Sequence, residues 1–188
     1  MEPILIHPFH TPFGELLLGS FNNELCLCDW RYRRMRTAID ARIQRGLQAE
    51  YVESISPVIE QAKAQLNAYF AGERTTFDLP VRLVGTEFQL RVWQALRAVP
   101  YGTTLSYAAL TAKVAEPTAI RAVASTNGAN ALSIMVPCHR IIGSDGELTG
   151  YAGGLGVKRR LLQLEKATMG TPQVDLFSMP HSGIVHGA

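Results

Sequence analysis

Residues 103–124, with the sequence TTLSYAALTAKVAEPTAIRAVA, predict two short helices joined by a tight turn. We expect the first helix over 107–114, after a start at Thr103 or Thr104. We expect the second over 117–124, because a proline is favoured at the first position of a helix. Two short helices joined by about three residues are typical of a helix-turn-helix.

Upstream of this unit the sequence pattern changes from strands to helices at Gly85. Residues 3–30 carry short apolar runs separated by turn residues, and 76–84 alternates like a further strand. Helices are expected over 57–70, opened by Ser56-Pro57, and from Thr86 to a point before Pro100. The predicted organisation is a mixed α/β (α+β) fold in three parts: an N-terminal domain over 1–84, a C-terminal domain over 85–168 and a flexible tail over 169–188.

The composition fits an ordinary folded protein, with 47% hydrophobic residues, 18% charged residues and a formal net charge of +2. This weak positive charge is compatible with DNA binding but does not argue for it, since strongly basic domains give a clearer signal. The start of the chain lacks a secretory pattern, and no apolar run approaches the ~20 residues that span a bilayer. We therefore expect a cytoplasmic protein with no membrane partner.

The cysteines do not predict a disulfide framework, because there are only three of them. Cys26 and Cys28 lie two apart in a strand-like stretch, so both side chains are expected on one face. Core packing is expected there over metal ligation, because no second Cys or His pair with ligand spacing lies nearby.

Six arginines lie in residues 31–50, at positions 31, 33, 34, 36, 42 and 45. A solvated helical face is the favoured interpretation, and a DNA-phosphate patch is the alternative that stays open.

Cys138 is a candidate nucleophile, because it lies between a proline and a histidine after an expected short buried strand, 133–136. A merely buried thiol is the alternative. His139 supplies a base, and Arg140 adds positive charge that favours the thiolate. Since neighbouring side chains of an extended segment face opposite ways, His139 would act through a water molecule. Glu165 is the candidate carboxylate that anchors its ring.

The motif Pro137-Cys138-His139-Arg140, between Val136 and Ile141-Ile142-Gly143, resembles the signature of the O6-alkylguanine-DNA alkyltransferases. The similarity is close over 85–166 and loose over 4–84. Its further blocks are Gly85-Thr86-Glu87-Phe88-Gln89, Val92-Trp93, Pro100-Tyr101-Gly102, Ser106-Tyr107, Arg121-Ala122-Val123, Asn127-Gly128-Ala129-Asn130, Gly150-Tyr151-Ala152-Gly153-Gly154 and Leu161-Leu162 with Glu165.

This resemblance implies a ribonuclease-H-like sheet-and-helix domain, followed by a winged helix-turn-helix-like domain for DNA binding and catalysis. It implies transfer of a methyl or other alkyl group from O6-alkylguanine, with O4-alkylthymine as a further substrate, in one irreversible event. The damaged nucleotide would first be flipped out through the minor groove. The implied partner is double-stranded DNA, bound by a monomer that associates with the nucleoid. No cofactor is implied.

The resemblance also assigns roles to individual residues. Cys138 would accept the alkyl group, while His139 takes its proton through water and Glu165 orients the ring. Tyr107 would protonate N3 of the departing guanine, and Asn130 would tie the helix-turn-helix to the cysteine segment. The implied DNA-binding residues are Arg121, which fills the gap left by the flipped nucleotide, with Ala122, Ser125, Gly128 and Tyr107. The implied pocket residues are Val136, Pro137, Ile141, Tyr151, Ala152 and Gly153.

The sequence departs from the family pattern at several positions. A structural zinc of some members is not expected, because only Cys26 lies near a ligand position and Phe21 occupies another. Ala131 replaces a frequent proline. Ala115 occupies a turn position where glycine is usual, and a left-handed conformation there would cost about 1 kcal/mol.

The same residues leave two other functions open. A Cys-His-Glu hydrolase could form an acyl-enzyme, but the adjacency of Cys138 and His139 disfavours direct activation. A non-catalytic binder of alkylated DNA lesions is the second alternative, but such proteins lack the acceptor cysteine.

Overall fold

The computed structural model describes the backbone of residues 2–169 and the side chains of residues 2–166. The expected tail, 169–188, lies outside this part except for its first residue. Four strands form one sheet in the order β3-β2-β1-β4, with β4 parallel to β1 and the other pairs antiparallel. The strands are Ile4–Thr11 (β1), Gly14–Phe21 (β2), Glu24–Trp30 (β3) and Tyr51–Glu53 (β4).

Two helices accompany this sheet, Arg36–Leu47 (α1) and Pro57–Phe70 (α2). As expected, Ser56 caps α2, and its hydroxyl accepts a hydrogen bond from the backbone N of Ile59 at 3.3 Å. Apolar residues at helical spacing bury one face of α2, and this face packs on β1, β2 and β3. The buried residues of α2 are Val58, Ile59, Ala62, Leu66 and Tyr69.

The second half of the chain is mostly helical. Its elements are Glu87–Arg97 (α3), Leu105–Ser106 (β5), Tyr107–Val114 (α4), a 3-10 turn at Pro117–Ala119, Ile120–Gly128 (α5), a 3-10 turn at Cys138–Arg140, Ile141–Ile142 (β6) and Leu155–Met169 (α6). Thr86 caps α3 in a capping box with Gln89, as its sequence indicates. Helices α3, α4 and α5 pack on one another, and α4 and α5 form the helix-turn-helix. The predicted fold class is confirmed.

Several predicted boundaries are wrong in detail. Ser106, not Thr103 or Thr104, caps α4, and its hydroxyl accepts from the backbone N of Ala109 at 3.1 Å. Helix α5 continues past Ala124 to Gly128. Ala115 is extended, with φ −162°, so the anticipated left-handed strain does not arise.

Two predicted strands are not strands. Residues 76–84 make one bridge, between Val81 and Leu25, because only 80–82 come within hydrogen-bonding distance of the edge of β3. Residues 133–136 fold into a turn in which Ser133 bridges Val136. The predicted strand is wrong here, because a short apolar run fits a buried turn as well as a strand. Ile134 has φ 73° in this turn, a conformation that a β-branched residue rarely adopts.

Strand β3 joins the two halves of the chain. The backbone N of Leu25 donates to Pro80 O at 2.8 Å, and the backbone N of Cys28 donates to Ala131 O at 2.8 Å. Both segments thus supply partners for backbone groups at the open edge of β3, and the side chains from Leu25 to Trp30 are buried. Cys26 and Cys28 lie in this core, which confirms their predicted packing role.

The arginine-rich stretch is not uniformly solvated. Arg33 is 7% exposed and Arg36 is half-buried, whereas Arg31, Arg34 and Arg45 are exposed. The prediction of a solvated face is therefore wrong for Arg33, which has a buried ionic partner described below. Among the helices of residues 2–169, none has the length and apolarity needed to cross a bilayer.

Candidate functional site

Cys138 begins the 3-10 turn that follows the strained Ile134 segment. Its side chain is buried, at 2% exposure, and its Sγ atom accepts a hydrogen bond from Asn130 Nδ2 at 3.2 Å. Burial raises the pKa of the Cys138 thiol, and the Asn130 hydrogen bond opposes this shift. The thiol is therefore protonated at neutral pH, and a nucleophilic role needs a base that removes its proton.

The Asn130 amide connects the end of the helix-turn-helix to the cysteine. Its Nδ2 atom donates also to Val136 O at 2.8 Å, and its Oδ1 atom accepts from the backbone N of Leu132 at 2.9 Å. Because every polar atom of this buried amide has a partner, its orientation is fixed. Asn130 thus holds both the sulfur and the backbone turn that leads to it.

The Glu165 cluster comprises Glu165, His139, Arg140, Tyr69 and the backbone N of Gly102. His139 Nε2 and Glu165 Oε1 lie 2.6 Å apart, and both side chains are fully buried. Arg140 donates to both carboxylate oxygens, from Nε at 2.9 Å and from Nη2 at 3.0 Å. Tyr69 Oη donates to Oε1 at 2.8 Å, and the backbone N of Gly102 donates to Oε2 at 3.1 Å.

The charges of this cluster are balanced in a way that leaves His139 neutral. Burial alone would raise the pKa of Glu165, but the hydrogen bonds of His139 and Arg140, with the positive charge that each carries when protonated, lower it to about 2. Burial lowers the pKa of His139, against the influence of Glu165. Within the described residues, the buried Nδ1 atom of His139 has no hydrogen-bond partner. The imidazole is therefore a neutral base with one nitrogen available for a proton.

The Asp29 cluster lies on the other side of Asn130 and comprises Asp29, Arg33, Arg36 and Ser133. Asp29 Oδ2 accepts from Arg33 Nη1 at 2.9 Å and from Arg36 Nη1 at 3.1 Å, and Oδ1 accepts from Ser133 Oγ at 3.1 Å. Arg33 Nη1 also donates to Asn130 O at 2.9 Å, and its Nη2 donates to Gly128 O. The end of β3 therefore holds the backbone between α5 and the cysteine turn.

Four of the five expected DNA-binding residues lie on one face of α5, and the fifth, Tyr107, begins α4. Arg121, Ala122 and Ser125 are exposed, and a Cβ atom on Gly128 would meet no atom within 4 Å. Two small side chains, a glycine and a single arginine leave this face open to a close approach by another molecule. Asn127 Nδ2 donates to Tyr107 Oη at 3.2 Å, and burial followed by the nearby Cys138 raises the pKa of Tyr107.

The expected pocket residues divide into a rigid part and a glycine-rich part. Val136, Pro137 and Ile141 are buried, whereas Tyr151, Ala152 and Gly153 are partly exposed in the loop before α6. Lys158 connects the two parts: its buried ammonium donates to Ile141 O at 2.5 Å and to Thr149 O at 2.7 Å. A third contact reaches Gly150 O at 3.3 Å, and burial lowers the pKa of Lys158 to about 8.

The structure thus brings Cys138, His139, Asn130 and Glu165 together, with Tyr107 at the adjoining helix. Sequence reasoning missed the residues that hold them. Nothing in the sequence around Glu165 indicates that its partner is Tyr69, which lies 96 positions earlier in α2. The missed residues are Tyr69, Asp29, Arg33, Lys158 and Trp30. A signal existed for Asp29 and Arg33, which are spaced i, i+4 beside an apolar strand.

Within residues 2–169, no three His, Cys, Asp or Glu side chains converge on a point. Near the position considered for zinc, Cys26 is buried among core residues and burial raises its pKa to about 12, which disfavours the thiolate that a metal binds.

Two family models match nearly the whole described chain. The one described as 6-O-methylguanine DNA methyltransferase, ribonuclease-like domain, matches residues 4–83. The one described as 6-O-methylguanine DNA methyltransferase, DNA binding domain, matches residues 87–167.

Curated relatives agree with these matches. The methylated-DNA--protein-cysteine methyltransferase of Mycobacterium leprae is 55% identical over 159 residues, which covers 83% of this chain and 88% of the relative. Those of Mycobacterium bovis and Mycobacterium tuberculosis are 56% identical over 103 residues, so this chain spans only 62% of their length. The solved structure of Mycobacterium tuberculosis OGT in complex with DNA has 40% identity and a TM-score of 0.74, covering 87% of this chain and 94% of that one.

Proposed function

Because this chain belongs to the 6-O-methylguanine DNA methyltransferase family, we propose that it repairs DNA by transferring an alkyl group from guanine O6 to its own Cys138. The observation that carries this proposal is a buried cysteine, held by Asn130, next to a histidine whose ring is anchored by Glu165. A nucleophile, a base and an oriented partner for the base form the minimum set for this chemistry.

The transfer balances with the residues at this site. The Cys138 proton moves to neutral His139, through a water molecule, and Glu165 stabilises the imidazolium that forms. The sulfur then attacks the alkyl carbon, the bond from that carbon to O6 breaks, and its electron pair goes to the guanine. Tyr107, whose raised pKa keeps it protonated, donates its proton to N3 so that a neutral guanine departs.

The product is a thioether, which has no leaving group under these conditions, so each molecule acts once. The displacement requires neither a cofactor nor a metal in its balance of atoms and electrons. The carbonyl groups of Cys138 and Ile141 are proposed to accept from the guanine amino group, with Tyr151 and Ala152 on the O6 side. O4-alkylthymine is a further proposed substrate.

The DNA is proposed to bind along the exposed face of α5. A carbon on O6 lies inside the duplex, so the nucleotide has to be extruded before sulfur reaches it. Arg121 is proposed to fill the vacated stack, while Ala122, Ser125 and Gly128 permit close approach to the minor groove.

Substitution of Arg121 by alanine separates extrusion from chemistry. We expect about a tenfold slower reaction with duplex O6-methylguanine and less than about a twofold change with free O6-benzylguanine, which needs no extrusion. Single-turnover rate constants for both substrates provide the measurement. Equal losses on the two substrates would refute the extrusion role.

Intact mass and peptide mapping after incubation with a duplex that carries one O6-methylguanine tests the proposed function directly. One added methyl group per chain, located on Cys138 and saturating at one equivalent, is the expected result. Cys138→Ala should transfer nothing while it retains DNA binding. An unmodified chain bound to the intact lesion would indicate a lesion-binding protein instead, and turnover of a chromogenic ester would indicate a hydrolase.

The proposal also covers the oligomeric state, the location in the cell and the domain boundary. We infer that the protein acts as a monomer, because one chain supplies the nucleophile, base, proton donor and DNA-binding helix. It is proposed to work in the cytoplasm and to associate with the nucleoid when bound to DNA. The boundary between the proposed domains, 1–84 and 85–168, falls at Gly85, where a Cβ atom would lie 2.6 Å from the Trp93 ring.

A further inference from the structure

Trp30, the last residue of β3, lies against the pocket loop although it belongs to the N-terminal sheet. Its side chain is buried, at 4% exposure of the residue. The indole Nε1 atom donates a hydrogen bond to Tyr151 Oη at 3.0 Å, and the two rings pack edge to face with centroids 6.3 Å apart. A residue of the sheet thus fixes an aromatic side chain of the proposed pocket.

The same indole ring leaves no room for a side chain at Gly153 of the pocket loop. A Cβ atom on Gly153 would lie 2.8 Å from Trp30 Cε2 and Nε1, which is too close for any other residue without displacement. On the side of β2, a Cβ atom on Gly14 would lie 3.4 Å from Cζ3 of the ring. The ring therefore occupies the space between two glycines, and its position sets how near Gly153 comes to the sheet.

Tyr151 also contacts His139, one of the residues proposed to react. Its ring packs edge to face on His139, with centroids 6.3 Å apart. Burial raises the pKa of Tyr151 well above its usual value, so its hydroxyl stays protonated and accepts the indole hydrogen bond as a neutral group. The chain of contacts runs from Trp30 to Tyr151 to His139, the neighbour of Cys138.

Besides packing on the core, this part of the loop is restrained by few described hydrogen bonds. Gly150 and Gly154 have positive φ values of 41° and 87°, a conformation that glycine adopts at no steric cost. Lys158 holds the carbonyl groups of Thr149 and Gly150, upstream of Tyr151. The described hydrogen bonds that restrain Tyr151 are a backbone bond, from Gly154 N to Tyr151 O at 3.0 Å, and the one from Trp30.

We propose that Trp30 is a specificity-determining residue, which sets the size of the O6 group that this pocket accepts by holding Tyr151 and Gly153 in place. This inference rests on the proposed alkyl transfer. A small alkyl group should be transferred faster when Tyr151 and Gly153 are held close to it, because its reacting carbon is then aligned with the sulfur. A large alkyl group fits only when Tyr151 and Gly153 move apart from it, so loss of the restraint should slow its transfer less.

The test is a pair of rate constants for duplexes that carry O6-methylguanine or O6-benzylguanine. In Trp30→Phe we expect methyl transfer to slow about fivefold, as loss of one neutral hydrogen bond implies, and benzyl transfer to change less than about twofold. Tyr151→Phe should raise the ratio of benzyl to methyl rates by the same factor. The double variant should raise this ratio no further, because each single change already removes the same hydrogen bond, from Trp30 Nε1 to Tyr151 Oη.

Trp93→Phe is the matched control. Trp93 is also buried and donates its indole proton to a backbone carbonyl, but that carbonyl, Thr126 O at 2.9 Å, belongs to α5 and not to the pocket loop. We expect the ratio of rates to stay at the wild-type value in this variant. An unchanged ratio in Trp30→Phe, a multiplied effect in the double variant, or an equal rise in Trp93→Phe would each overturn the proposal.

Amide hydrogen exchange separates this inference from the proposed function. Trp30→Phe should speed exchange at Gly154, whose amide bonds to Tyr151 O, whereas Trp93→Phe should not. A wild-type chain that transfers neither group would refute the proposed function, and the exchange result would then still decide whether Trp30 holds the loop. Unchanged exchange at Gly154 in Trp30→Phe would refute that role in either case.

Discussion

The two buried carboxylates beside the cysteine, Glu165 and Asp29, have pKa values shifted in opposite directions. Five hydrogen bonds reach Glu165, and its charged neighbours lower its pKa to about 2. For Asp29, burial raises the pKa and outweighs the effect of Arg33 and Arg36. Both groups are fully buried, so burial alone does not decide the direction.

The difference lies in what each carboxylate holds. The Glu165 cluster contains His139, a group that takes up a proton in the proposed reaction, and Glu165 supplies the negative charge that the imidazolium needs. Asp29 accepts from Arg33, Arg36, the Ser133 hydroxyl and the backbone N of Trp30, and none of these groups takes up a proton in the proposed reaction. Arg33 also donates to backbone carbonyl groups. The first cluster would serve the proposed chemistry, whereas the contacts of the second hold the cysteine turn to the sheet.

Neutralising Glu165 is expected to have the largest effect. Glu165→Gln removes the charge that stabilises the His139 imidazolium, so transfer should slow by about 100-fold, within the range of general-base catalysis. Single-turnover transfer from an O6-methylguanine duplex, corrected for the folded fraction, measures this effect. A rate within about threefold of wild type would contradict the assigned role of Glu165.

Neutralising Asp29 makes the matched comparison, since Asp29→Asn is the same chemical change at an equally buried carboxyl. It leaves Arg33 with a neutral partner but removes a carboxylate whose charge burial disfavours, as the raised pKa of Asp29 reflects, so the free energy of unfolding should fall by no more than about 2 kcal/mol. The transfer rate of the folded fraction should change by less than about threefold. Urea unfolding and single-turnover kinetics measure the two quantities. A loss of rate as large as that of Glu165→Gln would abolish the distinction between the clusters.

Acid unfolding sharpens the comparison further. The Glu165 pKa falls from 4.5 to about 2 on folding, so its ionisation stabilises the protein above pH 4.5. That contribution, about 3 kcal/mol, should be lost as pH falls from 4.5 towards 2. Asp29 has the opposite sign, because a raised pKa favours the folded state at low pH and not at high pH.

The measurement is the free energy of unfolding of each variant at pH 6 and pH 3. Glu165→Gln should lose less stability on acidification than wild type, and Asp29→Asn should lose at least as much as wild type. Identical pH dependence in the two variants would show that the shift of Glu165 is not the one described.

The sequence predicted the helices and strands better than the long-range contacts that hold the candidate site. Helix α2 and helix α3 start where Ser56 and Thr86 indicate, because caps are local signals. The turn before Cys138 was predicted as a strand, since a short apolar run fits a strand and a buried turn equally well. The 3-10 turn at the cysteine has no periodicity that a sequence could display.

Long-range partners were beyond local patterns for a physical reason. A hydroxyl such as that of Tyr69 fits an amphipathic helix with or without a partner, so its bond to Glu165 leaves no trace in the spacing. Trp30 likewise fits the end of an apolar strand. The sequence predicted Glu165 as the partner of His139 through the family resemblance, and their separation of 2.6 Å agrees with that prediction.

The position of Tyr69, Asp29 and Trp30 in the first half of the chain has a consequence for inheritance. The residues proposed to react all lie after Gly85, yet these three supports lie before it. A gene recombined at this boundary would pair one parent's reactive residues with the other parent's supports. Hybrids whose parents differ at these positions should therefore be less stable or transfer more slowly than either parent.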